Sequence, residues 1–215
     1  MGKRIMYGWV LCALAFVFVA GAVALNCCAE EQAATAAKMT LDNLMTAYNG
    51  ESNANVRYLA FAVKADEEGY EKVASLFRAA ARAEQVHFEH HAKVIKELGG
   101  TPAAKIETPV VKTTRENLEE ALKGETYESD VMYPEFLARA EKDKVANAVD
   151  AFEDAKAAEA VHAKWYKKAL ADLDAWKGPK MELYVCPKCG NVVDVIPGPA
   201  CPICMEDTKK FMLVS

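Results

Sequence analysis

Apolar positions recur at helical spacing along most of the chain, and four long runs stand out. From Thr40 to Glu68, Leu41, Leu44, Met45, Tyr48, Val56, Leu59 and Val63 form a broad stripe that predicts a first helix. Thr40 or a neighbour would cap its start and Gly69 would end it. A second run, Tyr70 to Leu98, stops at Gly99-Gly100. The segment after it carries Pro102 and Pro109, is too long for a tight hairpin loop, and predicts a crossover connection. A third helix is expected from Thr113, spaced from Glu116 as a capping box, to about Glu141. The fourth would span Lys144 to Trp176 and stop at Gly178-Pro179. The pattern is that of a mainly α chain built on a four-helix bundle.

The two halves of this region repeat. Shifted by 74, Asn43, Leu44, Ala47, Gly50 and Glu51 fall on Asn117, Leu118, Ala121, Gly124 and Glu125. Shifted by 75, Phe77, Ala80, Ala83, Glu84, His87, Lys93 and Leu98 fall on Phe152, Ala155, Ala158, Glu159, His162, Lys168 and Leu173. Tyr58, Phe61 and Ala65 match Tyr133, Phe136 and Ala140 at the second spacing, so the third helix gains one residue between Glu125 and Tyr133. An extra residue inside a helix reads as a π-bulge, which often marks a functional site. A simple kink at Pro134 is the alternative. Gly50 and Gly124 each cost a helix interior about 1 kcal/mol against alanine, and each precedes a glutamate of the set. A close backbone approach near a site explains them best, with plain packing as the rival.

The repeat carries the candidate chemistry. Glu84 and His87, and again Glu159 and His162, lie three apart and so share one helical face among alanines and other apolar residues. One such pair alone reads as a hydrogen-bonded pair in a core. Here Glu51 joins from the first helix and Glu125 and Glu128 from the third. Five carboxylates in one core must protonate, pair with cations or bind metal, and no arginine or lysine repeats on that face. Two divalent ions supply four positive charges. One glutamate on each of two helices plus Glu-x-x-His on each of two others is the di-iron or di-manganese carboxylate pattern, and mixed oxygen and nitrogen ligands favour iron or manganese over calcium. His90 and His91, adjacent on their helix, face different ways and read as solvated or rim residues.

Composition then narrows the classes. The 215 residues are 52% hydrophobic and 27% charged, enough for a real core plus one small extra domain. A net charge of -5 and the lack of a basic, aromatic-interleaved run set nucleic-acid binding aside. Lys3 and Arg4 precede Ile5 to Ala29, which carries no formal charge and whose densest apolar part, Tyr7 to Leu25, is 19 residues long. That length suits a single membrane crossing, and the flanking charges put the following chain on the extracytoplasmic side. Residues 1–29 are therefore expected to be a membrane anchor, or a leader that is cleaved or lipidated at Cys28; either way the folded part is membrane-anchored or exported.

Of seven cysteines, three lie in or beside this leader, and the rest are at the far end. Cys186-Pro187-Lys188-Cys189 and Cys201-Pro202-Ile203-Cys204 form two Cys-x-x-Cys knuckles, a four-thiolate metal site in which zinc or a single iron fits. So small a unit leans on its metal to fold. Three regions follow: 1–29, a helical domain at 38–177 and a cysteine domain at 181–215.

The chain from about residue 38 onward resembles rubrerythrin, a ferritin-like four-helix domain followed by a rubredoxin-like domain. The motifs are GES with Tyr58 seven residues past Glu51, EQVH, GETYE followed by YP, EAVH and the paired CPxC knuckles. The resemblance implies a di-iron site held by Glu51, Glu84, His87, Glu125, Glu128, Glu159 and His162, with Tyr58 and Tyr133 hydrogen-bonded to it and one iron on Cys186, Cys189, Cys201 and Cys204. It implies reduction of hydrogen peroxide to water, electrons arriving through the cysteine-bound iron from a separate donor protein. It further implies a homodimer in which the rubredoxin-like domain serves the partner's di-iron site. Met205 departs from the pattern, standing where a glycine usually follows the second knuckle. Two rival functions use the same residues: ferrous-ion oxidation with iron storage, and partner binding without turnover, with a structural zinc ribbon.

Overall fold

The computed structural model describes the backbone from Leu11 and side chains from Lys38 to Ser215. Five α-helices make the body: α1 Leu11–Glu67, α2 Glu71–Glu97, α3 Thr114–Tyr127, α4 Tyr133–Asp143 and α5 Ala146–Ala171, with a short 3-10 turn, Leu173–Trp176, closing α5. α1 does not begin at Thr40 as expected but runs unbroken from Leu11, with no proline ahead of Thr40 to break it. Its end is as read: Gly69 takes a left-handed φ of 78°, and the amide of Tyr70 donates to the Ala65 carbonyl at 2.8 Å. Thr113 and Glu116 form the reciprocal capping box at the start of α3.

Between α3 and α4, Glu128–Met132 is a π-helical segment. The extra residue of the third repeat element is absorbed there, as a π-bulge rather than as a kink at Pro134, which sits harmlessly in the first turn of α4. The crossover from Leu98 to Thr113 is pinned along α1. Lys105 and Glu107 donate backbone N–H groups to the side-chain oxygens of Asn49 and Asn53, each at 2.8 Å.

The core divides around the middle of the bundle. Tyr58, Phe61, Phe77 and Tyr166 interlock on one side, and Tyr133, Phe136, Phe152 and His91 on the other. His91 is therefore not a rim residue; it is wholly buried, because Tyr133 and Phe152 arrive from other helices to cover it. Gly50 and Gly124 are not sites of close approach either. A β-carbon on either would meet nothing within 4 Å among the described residues.

A three-stranded antiparallel sheet follows, in the order β2 (Val192–Val193), β1 (Leu183–Val185), β3 (Met212–Val214). It folds back on α2 and α5: Trp165 donates to the Val192 carbonyl at 3.0 Å, and the Met181 amide donates to Ser75 Oγ at 3.3 Å. Residues 1–10, and the side chains of the rest of the leader including Cys28, lie outside the described residues. Among the described residues no helix is long and apolar enough to cross a membrane, and this overturns the expectation of a membrane-anchored or exported location.

Candidate metal centres

Four helices converge on a buried cluster. α1 supplies Glu51, α2 Glu84 and His87, α3 Glu125, and α5 Glu159 and His162, all buried. Their donor atoms fall into two overlapping sets: Glu51, Glu84, His87 and Glu159, then Glu84, Glu125, Glu159 and His162, with the atoms of each set within 4.8 Å of one another. Glu84 and Glu159 belong to both. His87 Nδ1 lies 3.0 Å from Glu84 Oε2 and 2.8 Å from Glu159 Oε1; His162 Nδ1 lies 2.8 Å from Glu159 Oε2. Glu128 is brought near but into neither set. It opens the π segment half-buried, its carboxyl raised by burial first and Glu51 next, with Arg57 opposing.

Charge in this cluster is unbalanced. Burial, followed by the neighbouring carboxylates, pushes the Glu84 carboxyl up to about 8 and holds Glu51, Glu125 and Glu128 well above the usual carboxylate range. Burial opposes the charge of Glu159 as well, but His87 and His162 outweigh it and hold its carboxyl well below that range. Both histidines are pushed up despite burial, His87 mainly by Glu159 and His162 mainly by Glu125.

Hydrogen bonding leaves the same atoms unfinished. Glu51 Oε2, Glu84 Oε1, Glu125 Oε2, both Glu159 oxygens and His162 Nδ1 are buried without a hydrogen-bond partner. Buried polar atoms are rarely left so, and the six residues of these two overlapping donor sets, four carboxylates and two imidazoles, fit a pair of divalent ions. The outward-facing oxygens, by contrast, are held. Tyr58 donates to Glu125 Oε1 at 2.7 Å and Tyr133 donates to Glu51 Oε1. Both phenols are pushed up by burial first and by these carboxylates next, so they stay protonated donors.

Sequence reasoning missed two residues of this neighbourhood. His91 approaches the Tyr133 oxygen through Nε2 at 3.0 Å, and burial, then His87, holds it neutral, its pKa lowered to about 3. Tyr166 places a buried, unpartnered hydroxyl beside Tyr58, the ring centroids 5.8 Å apart. The signal was in the spacing: each stands one helical turn beyond a candidate ligand histidine.

The four cysteines form the second centre. Cys186 and Cys204 sulfurs lie 3.5 Å apart, Cys189 and Cys201 sulfurs 3.6 Å apart, and none is disulfide-bonded. A tetrahedron with metal–sulfur bonds of about 2.3 Å has edges of about 3.8 Å, so the donors are already gathered for one ion. Each knuckle closes alike. The Gly190 amide donates to Cys186 O and the Met205 amide to Cys201 O, both at 3.0 Å. Met205 adopts the left-handed φ of 61° that a glycine would take, so the turn survives the substitution.

The two centres touch. His87 Nε2 lies 3.0 Å from the Cys189 carbonyl and His162 Nε2 3.1 Å from the Gly190 carbonyl. The ring nitrogen turned away from the carboxylates thus donates to the first knuckle, which also fixes Nδ1 as the metal-facing atom. The knuckle sits against histidines of its own chain, where the resemblance implied those of a partner. In the short link between the helices and the sheet, Gly178 takes a left-handed φ of 98°.

Known proteins share this build. A sequence model of the Rubrerythrin family matches residues 42–170. Nigerythrin of Nitratidesulfovibrio vulgaris is 38% identical over 178 residues, covering 82% of this chain and 87% of its own. Rubrerythrin-2 of Clostridium acetobutylicum is 34% identical over 176 residues, covering 80% and 95%. The solved structure of fully reduced, all-ferrous nigerythrin superposes with a TM-score of 0.75 at 36% identity, over 81% of this chain and 86% of that one. A bacterioferritin from Desulfovibrio desulfuricans, at 23% identity and a TM-score of 0.62, shares the fold of the helical part. With the family model matched across residues 42–170 and relatives above 30% identity aligned over about four-fifths of the sequence, this chain belongs to the rubrerythrin family.

Proposed function

We propose that the protein is a non-haem di-iron peroxidase that reduces hydrogen peroxide to water in defence against oxidative stress. Rubrerythrins are in general di-iron oxidoreductases, and the specific substrate and direction are our reading. It is carried by one observation: the four-cysteine knuckle rests directly on the two candidate ligand histidines, through Cys189 and Gly190. Iron storage has no need of a thiolate centre in that place, and a structural zinc ribbon has no need of that contact.

In this reading Glu51, Glu84, His87, Glu125, Glu159 and His162 would hold two irons, and Glu128, at the start of the π segment, would join them as the seventh ligand. A ferrous pair, when bound, supplies the two electrons that split the oxygen–oxygen bond. Conversion of one peroxide to two waters also takes up two protons. Tyr58 and Tyr133 hold hydroxyl protons at Glu125 Oε1 and Glu51 Oε1, beside the reacting space. The surrounding aromatic core excludes bulk water. Cys186, Cys189, Cys201 and Cys204 would hold a single iron, which would supply one-electron chemistry with a donor protein, and the His87 and His162 contacts join that knuckle to the helical site. Residues 38–177 and 181–215 act as the two functional domains, and a homodimer, implied by the family resemblance, is the assembly we assign.

Anaerobic titration of the fully reduced, iron-loaded protein with hydrogen peroxide tests this. One equivalent of peroxide per helical site should oxidise that site and release no oxygen. Oxidation that proceeds faster with oxygen than with peroxide, ending in ferric mineral, would support storage instead.

A further inference from the structure

Each candidate ligand histidine is followed, one turn along its helix, by a second polar ring. His91 follows His87 and Tyr166 follows His162, and the repeat spacing of 75 makes the two positions equivalent. They are not equivalent chemically. On one side Tyr58 donates to Glu125, and the Tyr166 hydroxyl beside it has no partner. On the other, an imidazole stands behind the tyrosine.

The direction of that contact can be worked out. Tyr133 has one proton, and it is given to Glu51 Oε1. A carboxylate that ligates a metal has none to give back. The 3.0 Å contact between His91 and Tyr133 must then be Nε2–H donating to the phenol oxygen. This leaves His91 Nδ1 as a bare lone pair, and it is buried with no partner. The ring lies between Tyr133 and Phe152, at centroid distances of 6.0 and 5.6 Å. A phenylalanine would fill that aromatic slot and leave no orphan nitrogen, so packing alone does not account for a histidine. Downstream, Glu51 has one oxygen occupied by Tyr133 and the other, Oε2, free and buried.

We propose that His91 is a positioning residue of the helical metal site: its Nε2–H keeps the Tyr133 hydroxyl aimed at Glu51 Oε1, which commits Glu51 Oε2 to the metal. The proposal rests on the helical site holding two ions, and its effect is confined to the half that contains Glu51 and His87.

The test is cobalt(II) binding to the metal-free full-length chain, followed by the visible d–d bands. Cobalt at the cysteine centre shows sulfur charge-transfer bands and is counted apart. Wild type should bind two further ions. His91→Phe should weaken one of them by about 10- to 100-fold, the usual effect of losing a partner that orients a ligand, and leave the other unchanged. His91→Gln, which returns an N–H near the same place, should restore it. Tyr133→Phe should reproduce the loss, and adding His91→Phe to it should change nothing more.

Wild-type binding of both ions by His91→Phe, equal weakening of both, or a further loss in the Tyr133→Phe background would each overturn the proposal. If His91→Phe does not fold, as read by far-ultraviolet circular dichroism, His91→Gln against Tyr133→Phe decides. Full affinity in the first and loss in the second supports the role, and any other pairing sinks it. A wild-type chain that takes no cobalt outside the cysteines would remove the two-metal reading itself, a result distinct from unchanged binding in the variant.

Discussion

A β-carbon on Gly190 would lie 2.4 Å from Nε2 of His87. The glycine is what lets the first cysteine knuckle settle on the helical site, and its φ of 73° is a conformation that other residues adopt only under strain. Gly190→Ala should cost about 1–2 kcal/mol from the backbone alone, and the clash with His87 adds to it. The variant is expected to keep its helices while the four-cysteine unit lifts away. Limited proteolysis within residues 177–181 should then run faster than in wild type, with the helical circular dichroism unchanged. Equal cleavage rates would mean that the contact does not hold the two parts together.

Tyr58 and Tyr166 offer a matched comparison, since both rings pack in the same aromatic cluster but only one hydroxyl has a partner. Tyr58→Phe leaves Glu125 Oε1 buried and unpaired, and should destabilise the metal-free protein by about 1–3 kcal/mol. Tyr166→Phe removes a hydroxyl that has no hydrogen bond, and should be neutral or stabilising. Urea denaturation of the two variants checks the order, and a larger loss for Tyr166→Phe would contradict it.

Met205 sits in the left-handed region, where a β-carbon is penalised. Met205→Gly should relieve about 1 kcal/mol of that strain, offset in part by the greater freedom of glycine in the unfolded chain. The residue is 73% exposed, so little packing is lost with its side chain. A rise in the thermal midpoint of the cysteine domain is expected.

The pH dependence of the metal-free protein follows from Glu84. Its carboxyl is raised from 4.5 to about 8 by burial, then by Glu159 and Glu125. A folded pKa above the unfolded one means that the folded state binds the extra proton across this window, so stability falls as pH rises from 4.5 towards 8. Glu51, Glu125 and Glu128 shift the same way. Glu159 shifts the other way, and its contribution is lost only as pH falls through the acid range. Thermal midpoints of the metal-free protein should therefore drop between the two ends of the window. Ferrous iron, which replaces those protons as counter-charge, should abolish the drop. An unchanged slope with metal present would count against the buried carboxylates as ligands.

Much of this was legible beforehand. Glu84 with His87 and Glu159 with His162 could be paired from their spacing alone, because helical periodicity fixes which side chains share a face. The π segment was legible too, as a slip from 74 to 75 in the repeat between Glu125 and Tyr133. Features set by other elements were not. His91 beside His90 gave no sign of which one was covered, since Tyr133 and Phe152 do the covering. Gly50 and Gly124 preceded glutamates and suggested close approach, but no neighbour arrives. That the knuckle would rest on His87 and His162 depends on contacts between residues 28 and 102 positions apart, which local pattern does not reveal.

The most direct test is a metal count. The account holds that acidic side chains from four helices share one core because two ions lie among them, with Glu84 and Glu159 belonging to both halves. Full-length protein reconstituted anaerobically with ferrous iron should retain two irons beyond the one held by the cysteines, and Glu159→Ala should keep only that last one. Retention of a single, cysteine-bound iron by the wild-type chain would contradict the account.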